Sequence, residues 1–321
     1  MTDSLDLLMK RLGVFCILAA VFLAGCAAPQ TDRLLANPPG ALPSKVKLLE
    51  VPFYPQEAYY CGPASLSMAL TWSGVPVSMN ELAPRVFTPG RKGTLQTEII
   101  TASRRQGRIA YPVSTLEDLF RELAAGHPVI VLQNLGLSWY PRWHFAVAIG
   151  YDLPRGEIIL HSGRKPRKRL PVDLFERTWA RGGFWARVVL PPERLPATAE
   201  ESHFLKAVLG LERARRFFAA ARAYEATLAR WPGSFGAMMG LGNSRYGAGD
   251  LRGAERAFRK AARASPGSGA AYNNLAHVLA ERGRRREALM AARKAVAIGG
   301  PLKSNFLETL EEIEKNKTSG P

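Results

Sequence analysis

Two hydrophobic rhythms divide the chain near residue 195. Before it, short apolar runs alternate with helical patterns; after PPERLP, residues 191–196, the sequence is rich in Ala, Arg, Leu and Glu with hardly a strand-like run, which predicts helical hairpins. ASLSMALTWSG, from Ala64 to Gly74, is a run of good helix formers closed by glycine. Its helix is expected to begin at Cys61, because Pro63 fits a first turn, where its missing N–H has no helical partner. WHFAVAIGYD, residues 143–152, reads as a strand with His144, Ala146, Ala148 and Gly150 on one face and Trp143, Phe145, Val147 and Ile149 on the other. The run GEIILHSGR that follows predicts a second strand across a hairpin.

The helical part is periodic. Ala220, Ala254 and Ala288 recur every 34 residues, as do Tyr224, Phe258 and Ala292; Pro232 and Pro266, Met238 and Tyr272, Leu241 and Leu275, and Gly249 and Gly283 keep the same register. This spacing resembles the tetratricopeptide repeat. Three repeats are expected at about 201–234, 235–268 and 269–302, the first carrying Ala207, Val208 and Arg215 where Leu, Gly and Gly are usual, with FLETLEEIEKN as a capping helix. Each hairpin would bury its apolar face only against its neighbours, and such a stack presents a groove to a protein partner.

A third apolar run, Leu12–Leu23, follows Lys10 and Arg11 and is too short to span a bilayer as a stable helix, so it reads as an export signal over residues 1–25. LAGCAAPQ resembles the bacterial lipoprotein box, which implies cleavage before Cys26 and lipidation of its thiol. Ala27 then favours the outer membrane, with the protein facing the periplasm. Residues 26–47, rich in Pro, Ala and polar side chains, are expected to be a flexible tether. The formal net charge of +17 suits an anionic lipid surface or an acidic partner; nucleic acid, the usual partner of so basic a chain, is not expected for an exported one. The basic run RKPRKR, Arg164–Arg169, is expected to be a solvated hairpin loop.

With Cys16 in the signal and Cys26 lipidated, Cys61 is the one thiol left in the mature chain, with no partner for a disulfide. A lone thiol in an oxidising compartment suggests that its reactivity is used. At a helix N-terminus its pKa is expected to be lowered toward thiolate. The candidate base is His144, on a face of small residues that would let the Cys61 helix pack close.

The run QEAYYCGPASLSM, then LEDLFRELAAGHPVIV, then HFAVAIGYD with a hairpin and second strand, resembles the double-glycine leader peptidases of the papain-like superfamily. The resemblance implies an α+β fold over residues 48–194, a cysteine-bearing helix packed on an antiparallel sheet, ahead of the all-α repeat solenoid of 195–321. It implies Cys61 as nucleophile, His144 as general base and then acid, and Gln56 as oxyanion donor beside the Cys61 N–H. The family's orienting Asp is missing: His161 or Ser162 stands there, His161 being the tentative third member and Asp152 a spare, and which of them faces His144 depends on hairpin register. The expected function is a membrane-anchored cysteine peptidase acting on a peptide or protein, with Trp139, Tyr140 and Trp143 able to line a peptide groove. A non-catalytic peptidase-like scaffold and a transglutaminase-like acyltransferase or amidase are the alternatives. No metal-ligand spacing, dinucleotide loop or phosphate loop occurs, so no cofactor or metal is expected.

Overall fold

The computed structural model describes residues 28–40, 42–56, 59–91 and 93–315; the export segment, Cys16 and Cys26 lie outside the described residues. In chain order the elements are α1 (Pro29–Ala36), β1 (Lys45–Lys47), α2 (Cys61–Trp72), α3 (Met79–Val86), β2 (Phe87–Thr88), β3 (Gly93–Thr94), α4 (Gln96–Arg105), β4 (Ile109–Val113) and α5 (Leu116–Ala124). There follow β5 (Val129–Asn134), β6 (Trp143–Asp152), β7 (Glu157–Ser162), β8 (Lys165–Pro171), α6 (Val172–Ala180) and β9 (Ala186–Leu190). The last stretch holds helices only: α7 (Glu201–Arg213), α8 (Phe217–Arg230), α9 (Phe235–Gly247), α10 (Leu251–Ala264), α11 (Gly269–Glu281), α12 (Arg285–Ile298) and α13 (Lys303–Lys315). The architecture is thus an α+β part with an antiparallel sheet followed by an all-helical part built like tetratricopeptide repeats. Among the described residues no helix is long and apolar enough to cross a membrane.

The chain forms two compact units, Met1–Ala69 with Val113–Arg187, and Leu70–Pro112 with Val188–Pro321. In the first, β5, β6, β7 and β8 are neighbours in that order and every pairing is antiparallel. One edge of β6 pairs with β5 as far as Ala148 and with β1 from Gly150 onward. Ala64–Leu70 of α2 are all buried, so this helix is enclosed rather than amphipathic.

Two expectations are corrected here. Residues 26–47 were expected to form a tether, yet this segment contains α1 and β1. The buried Glu176 of α6 accepts hydrogen bonds from the backbone N–H of Gln30 (3.0 Å) and Thr31 (2.6 Å) and from the Thr31 hydroxyl (2.7 Å), a carboxylate capping the positive end of α1. That anchor lies far away in sequence, so composition gives no sign of it. The basic run, expected to be a loop, forms most of β8 instead. Its cations occupy an otherwise strand-like edge, where lysines discourage pairing with another chain.

In the second unit the repeat spacing has the packing it implies. A Cβ on Gly242 would meet the ring of Phe258 at 2.3 Å, so only glycine lets the aromatic of α10 lie against α9. Ser234 and Ser268, one period apart, each cap the next helix by accepting from the N–H three residues on. Residues 70–112 belong to this second unit. Tyr111 donates its hydroxyl to the Thr198 carbonyl (3.1 Å), accepts from the Glu200 N–H (3.1 Å) and lies 6.4 Å from the Phe204 ring.

Candidate active site

The site lies within the first unit, at the start of α2 and the adjoining ends of β6 and β7. The Ala64 N–H donates to the Tyr60 carbonyl (3.1 Å), which makes Cys61 the first residue of α2. Tyr59, with φ of 71°, supplies the left-handed turn that delivers the chain into this helix. Cys61 is a free thiol, partly buried, and the backbone N–H groups of Phe145, Gly62 and Cys61 itself bond to its sulfur. The Phe145 contact places the thiol against β6, one residue from His144.

His144 is held by the strand after it. Its Nε2 lies 2.9 Å from the Ser162 hydroxyl. The register explains why Ser162 and not His161 takes this place. Val147 stands opposite His161 and Ala148 opposite Leu160, so His161 shares the face of Phe145 and Val147, whereas Ser162 shares that of His144, Ala146 and Ala148. The alternation expected to continue to Gly150 ends at a bulge after Ala148.

His161 is therefore removed from the candidate site. Its Nε2 donates to the Val51 carbonyl (3.2 Å), its Nδ1 accepts from the Arg167 N–H (3.2 Å), and its ring packs on Phe53 at 5.1 Å. It holds the chain leading to Gln56. Asp152, the spare, sits at the far end of β6 among Lys45, Arg155 and Arg169.

Gln56 meets the same strand end. Its backbone N–H donates to the Gly163 carbonyl (3.1 Å) and its Oε1 accepts from the Gly163 N–H (3.1 Å). Gly163 has φ of 62°, a turn conformation that places both of its backbone groups on Gln56. The carbonyl oxygen of the side chain is thereby occupied, and Nε2 is a buried donor with no partner among the described residues. A buried unsatisfied donor costs roughly 1–3 kcal/mol, so Nε2 marks a place for an acceptor.

Electrostatics overturn one expectation. Burial pushes the Cys61 thiol up, against the smaller pull of the three N–H groups, so desolvation outweighs the helix N-terminus. His144 is pulled down to about 4, first by burial and then by the charge of Lys168. Both groups are thus neutral at rest, a thiol and an imidazole, rather than the thiolate expected from helix position.

The approach to His144 is aromatic. Trp139, Tyr140 and Trp143 are exposed on the segment before it, and Leu135 and Leu137 are exposed beside them. Asn134 shapes this segment: its Oδ1 accepts from the N–H of Gly136 (2.9 Å) and Arg142 (2.8 Å), and its Nδ2 donates to the Leu137 carbonyl (3.3 Å). Sequence reasoning did not find Gly163 or Lys168. The signal for Gly163 was a glycine ending a strand, too common to single out. No group of His, Cys, Asp and Glu able to hold a metal occurs among the described residues.

Comparison with known proteins gives likenesses to solved structures and one family match. A C39-like peptidase from Bacillus anthracis is 20% identical with a TM-score of 0.40, covering 46% of this chain and 97% of its own. The Yersinia enterocolitica type III secretion chaperone SycD, in complex with a peptide of the translocator YopD, is 16% identical with a TM-score of 0.34, covering 36% and 93%. MamA is 18% identical with a TM-score of 0.34, covering 36% and 63%. Among curated proteins none matches. Residues 48–184 match the model of the Peptidase_C39 like family, which supports a papain-like peptidase domain in this part of the chain.

Proposed function

We propose that the first unit is a cysteine peptidase that hydrolyses peptide bonds in a peptide or protein of the bacterial envelope. The observation that carries this reading is the Ser162 bond to His144 Nε2, which leaves Nδ1 for the thiol that the adjacent Phe145 N–H contacts. In the neutral pair Nε2–H donates to Ser162 and Nδ1 accepts. As Cys61 Sγ attacks the substrate carbonyl carbon, its proton passes to Nδ1. The oxygen that becomes negative is met by Gln56 Nε2 and the Cys61 N–H, donors fixed before the reaction begins. Nδ1–H then protonates the leaving amine, and water, deprotonated by His144, hydrolyses the thioester. The exposed aromatics before His144 give an extended peptide an apolar bed.

A thiol-directed probe and a pool of internally quenched peptides test this on protein lacking residues 1–26. Labelling at Cys61 and cleavage should both vanish in Cys61→Ala. Cleavage that survives in Cys61→Ala overturns the assignment. Labelling without cleavage favours the second reading, a peptidase-like binding module, for which the absence of a carboxylate at Ser162 speaks; amide transfer to an added amine would identify the acyltransferase.

The repeats we assign to holding a substrate or protein partner, because stacked hairpins present a groove. The lipoprotein box assigns the protein to the periplasmic side of the outer membrane, anchored through Cys26. Fractionation of a Cys26→Ser strain checks this: the variant should leave the membrane fraction, and retention there contradicts lipid anchoring.

A further inference from the structure

Lys168 has no role in the reading above, and its place in the sheet is specific. It stands opposite Leu160, which stands opposite Ala148, so its side chain leaves the sheet on the face that carries His144 and Ser162. It is half-buried and forms no ion pair among the described residues. On β8 Arg169 is paired with Glu157 at 2.7 Å, whereas Lys165 and Arg167 on that strand, and Arg164 just before it, have no carboxylate partner among the described residues. A basic strand edge thus borders the candidate site, with Lys165 opposite Ser162, and the half-buried Lys168 is the cation whose charge acts on the imidazole of His144.

We propose that Lys168 selects substrates bearing a carboxylate, an Asp or Glu side chain or a chain terminus, close to the bond that is cut. The inference rests on the peptidase reading for the word substrate, but recognition of the carboxylate can be tested without turnover. A partly buried ammonium group without a counter-ion is a ready site for an acidic side chain, and a charge-assisted hydrogen bond forms there with less competition from water than on an open surface. The acidic group also neutralises the cation that disfavours an imidazolium at His144. The carboxylate that Ser162 does not provide is then brought in part by the substrate. The lowered proton affinity of His144, to which Lys168 contributes, agrees with this arrangement.

The experiment uses labelled alanine-rich octapeptides in which one Glu, Gln or Lys is moved along the sequence. Binding to the Cys61→Ala protein is read by fluorescence anisotropy, and cleavage by the native protein by dequenching. At one position Glu should be bound about five- to tenfold more tightly than Gln, the scale of a single partly shielded ion pair. Lys168→Glu should abolish that preference or turn it toward Lys, while Lys47→Glu, an equal charge change on β1, should leave it intact. No preference for Glu at any position, or one unchanged in Lys168→Glu, overturns the proposal. A Glu preference in binding that depends on Lys168, with no cleavage of any peptide, upholds it and sinks the hydrolase reading instead. If Lys168→Glu loses only its binding to phosphatidylglycerol vesicles, the basic strand is a lipid contact and the proposal falls.

Discussion

His161 and Ser162 are neighbours on β7 and serve opposite faces of the sheet. The imidazole grips the Val51 carbonyl and the Arg167 N–H, and the hydroxyl grips His144. Chemical type alone would rank them the other way, since an imidazole is the better hydrogen-bond partner for a general base. Period two in a strand is what decides, because a shift of one residue carries a side chain through the sheet. Both faces still converge on the site: His161 fixes the segment that carries Gln56, and Ser162 fixes the ring that would take the thiol proton. The comparison separates holding the chain from holding the proton.

The most forceful way to break that separation is to remove each imidazole in turn. His144→Ala should lower peptide cleavage by about 10³-fold, the scale of a lost general base, with the fold unchanged. His161→Ala should instead lower the stability of the domain by about 2 kcal/mol, through two lost hydrogen bonds and the Phe53 contact, while the folded fraction still cuts. Cleavage rate and thermal unfolding, measured on both variants, decide it. Equal loss of rate at equal stability would return His161 to the reacting groups.

How far the sequence reveals this molecule depends on whether the controlling contact is local. The repeats are legible because their rule is periodic: a small residue faces an aromatic, as Gly242 faces Phe258, at a spacing visible in one chain. The helix that begins at Cys61 and the strand that carries His144 were legible from Pro63 in a first turn and from the alternation of small residues. The thiol's raised proton affinity was not, because burial comes from everything packed around α2 and only the helix end shows in the sequence. Glu176 on α1 and Tyr111 on the Thr198–Glu200 segment are contacts between stretches far apart in sequence, and local composition gives no sign of either. Ser162 was one of two alternatives that only the observed register could separate.

A finer test changes what Ser162 offers. Iodoacetamide should alkylate native Cys61 slowly at pH 6 and faster as the pH rises beyond the ordinary thiol range, because burial holds the proton on sulfur. Ser162→Asp places a carboxylate on His144 Nε2, favours the imidazolium and with it the thiolate, and should raise the rate at pH 6 by about tenfold, one pK unit of interaction. A native rate already level between pH 5 and 7 would show a preformed thiolate–imidazolium pair and contradict the neutral one. The same rate in Ser162→Asp as in the native protein would mean that the Ser162 bond does not govern the ring.

The smallest effect separates the two histidines by acid. Both have lowered proton affinity in the folded state, His144 to about 4, so both favour folding when neutral. For His144 the sign follows from linkage. Above the unfolded value of about 6.5 neither state is protonated and the stability is fully present; below it the unfolded chain binds a proton that the folded one refuses, and stability is lost until about pH 4. At pH 5.5 that loss is about 1 kcal/mol for this one group. His144→Gln removes the titrating group and keeps a donor for Ser162, so its stability should fall less than that of the native protein between pH 7.5 and 5.5. His161 continues to titrate in both proteins and cancels in the difference. Denaturant unfolding of each at the two pH values gives the answer, and identical pH dependence would show that His144 is not held neutral by its surroundings.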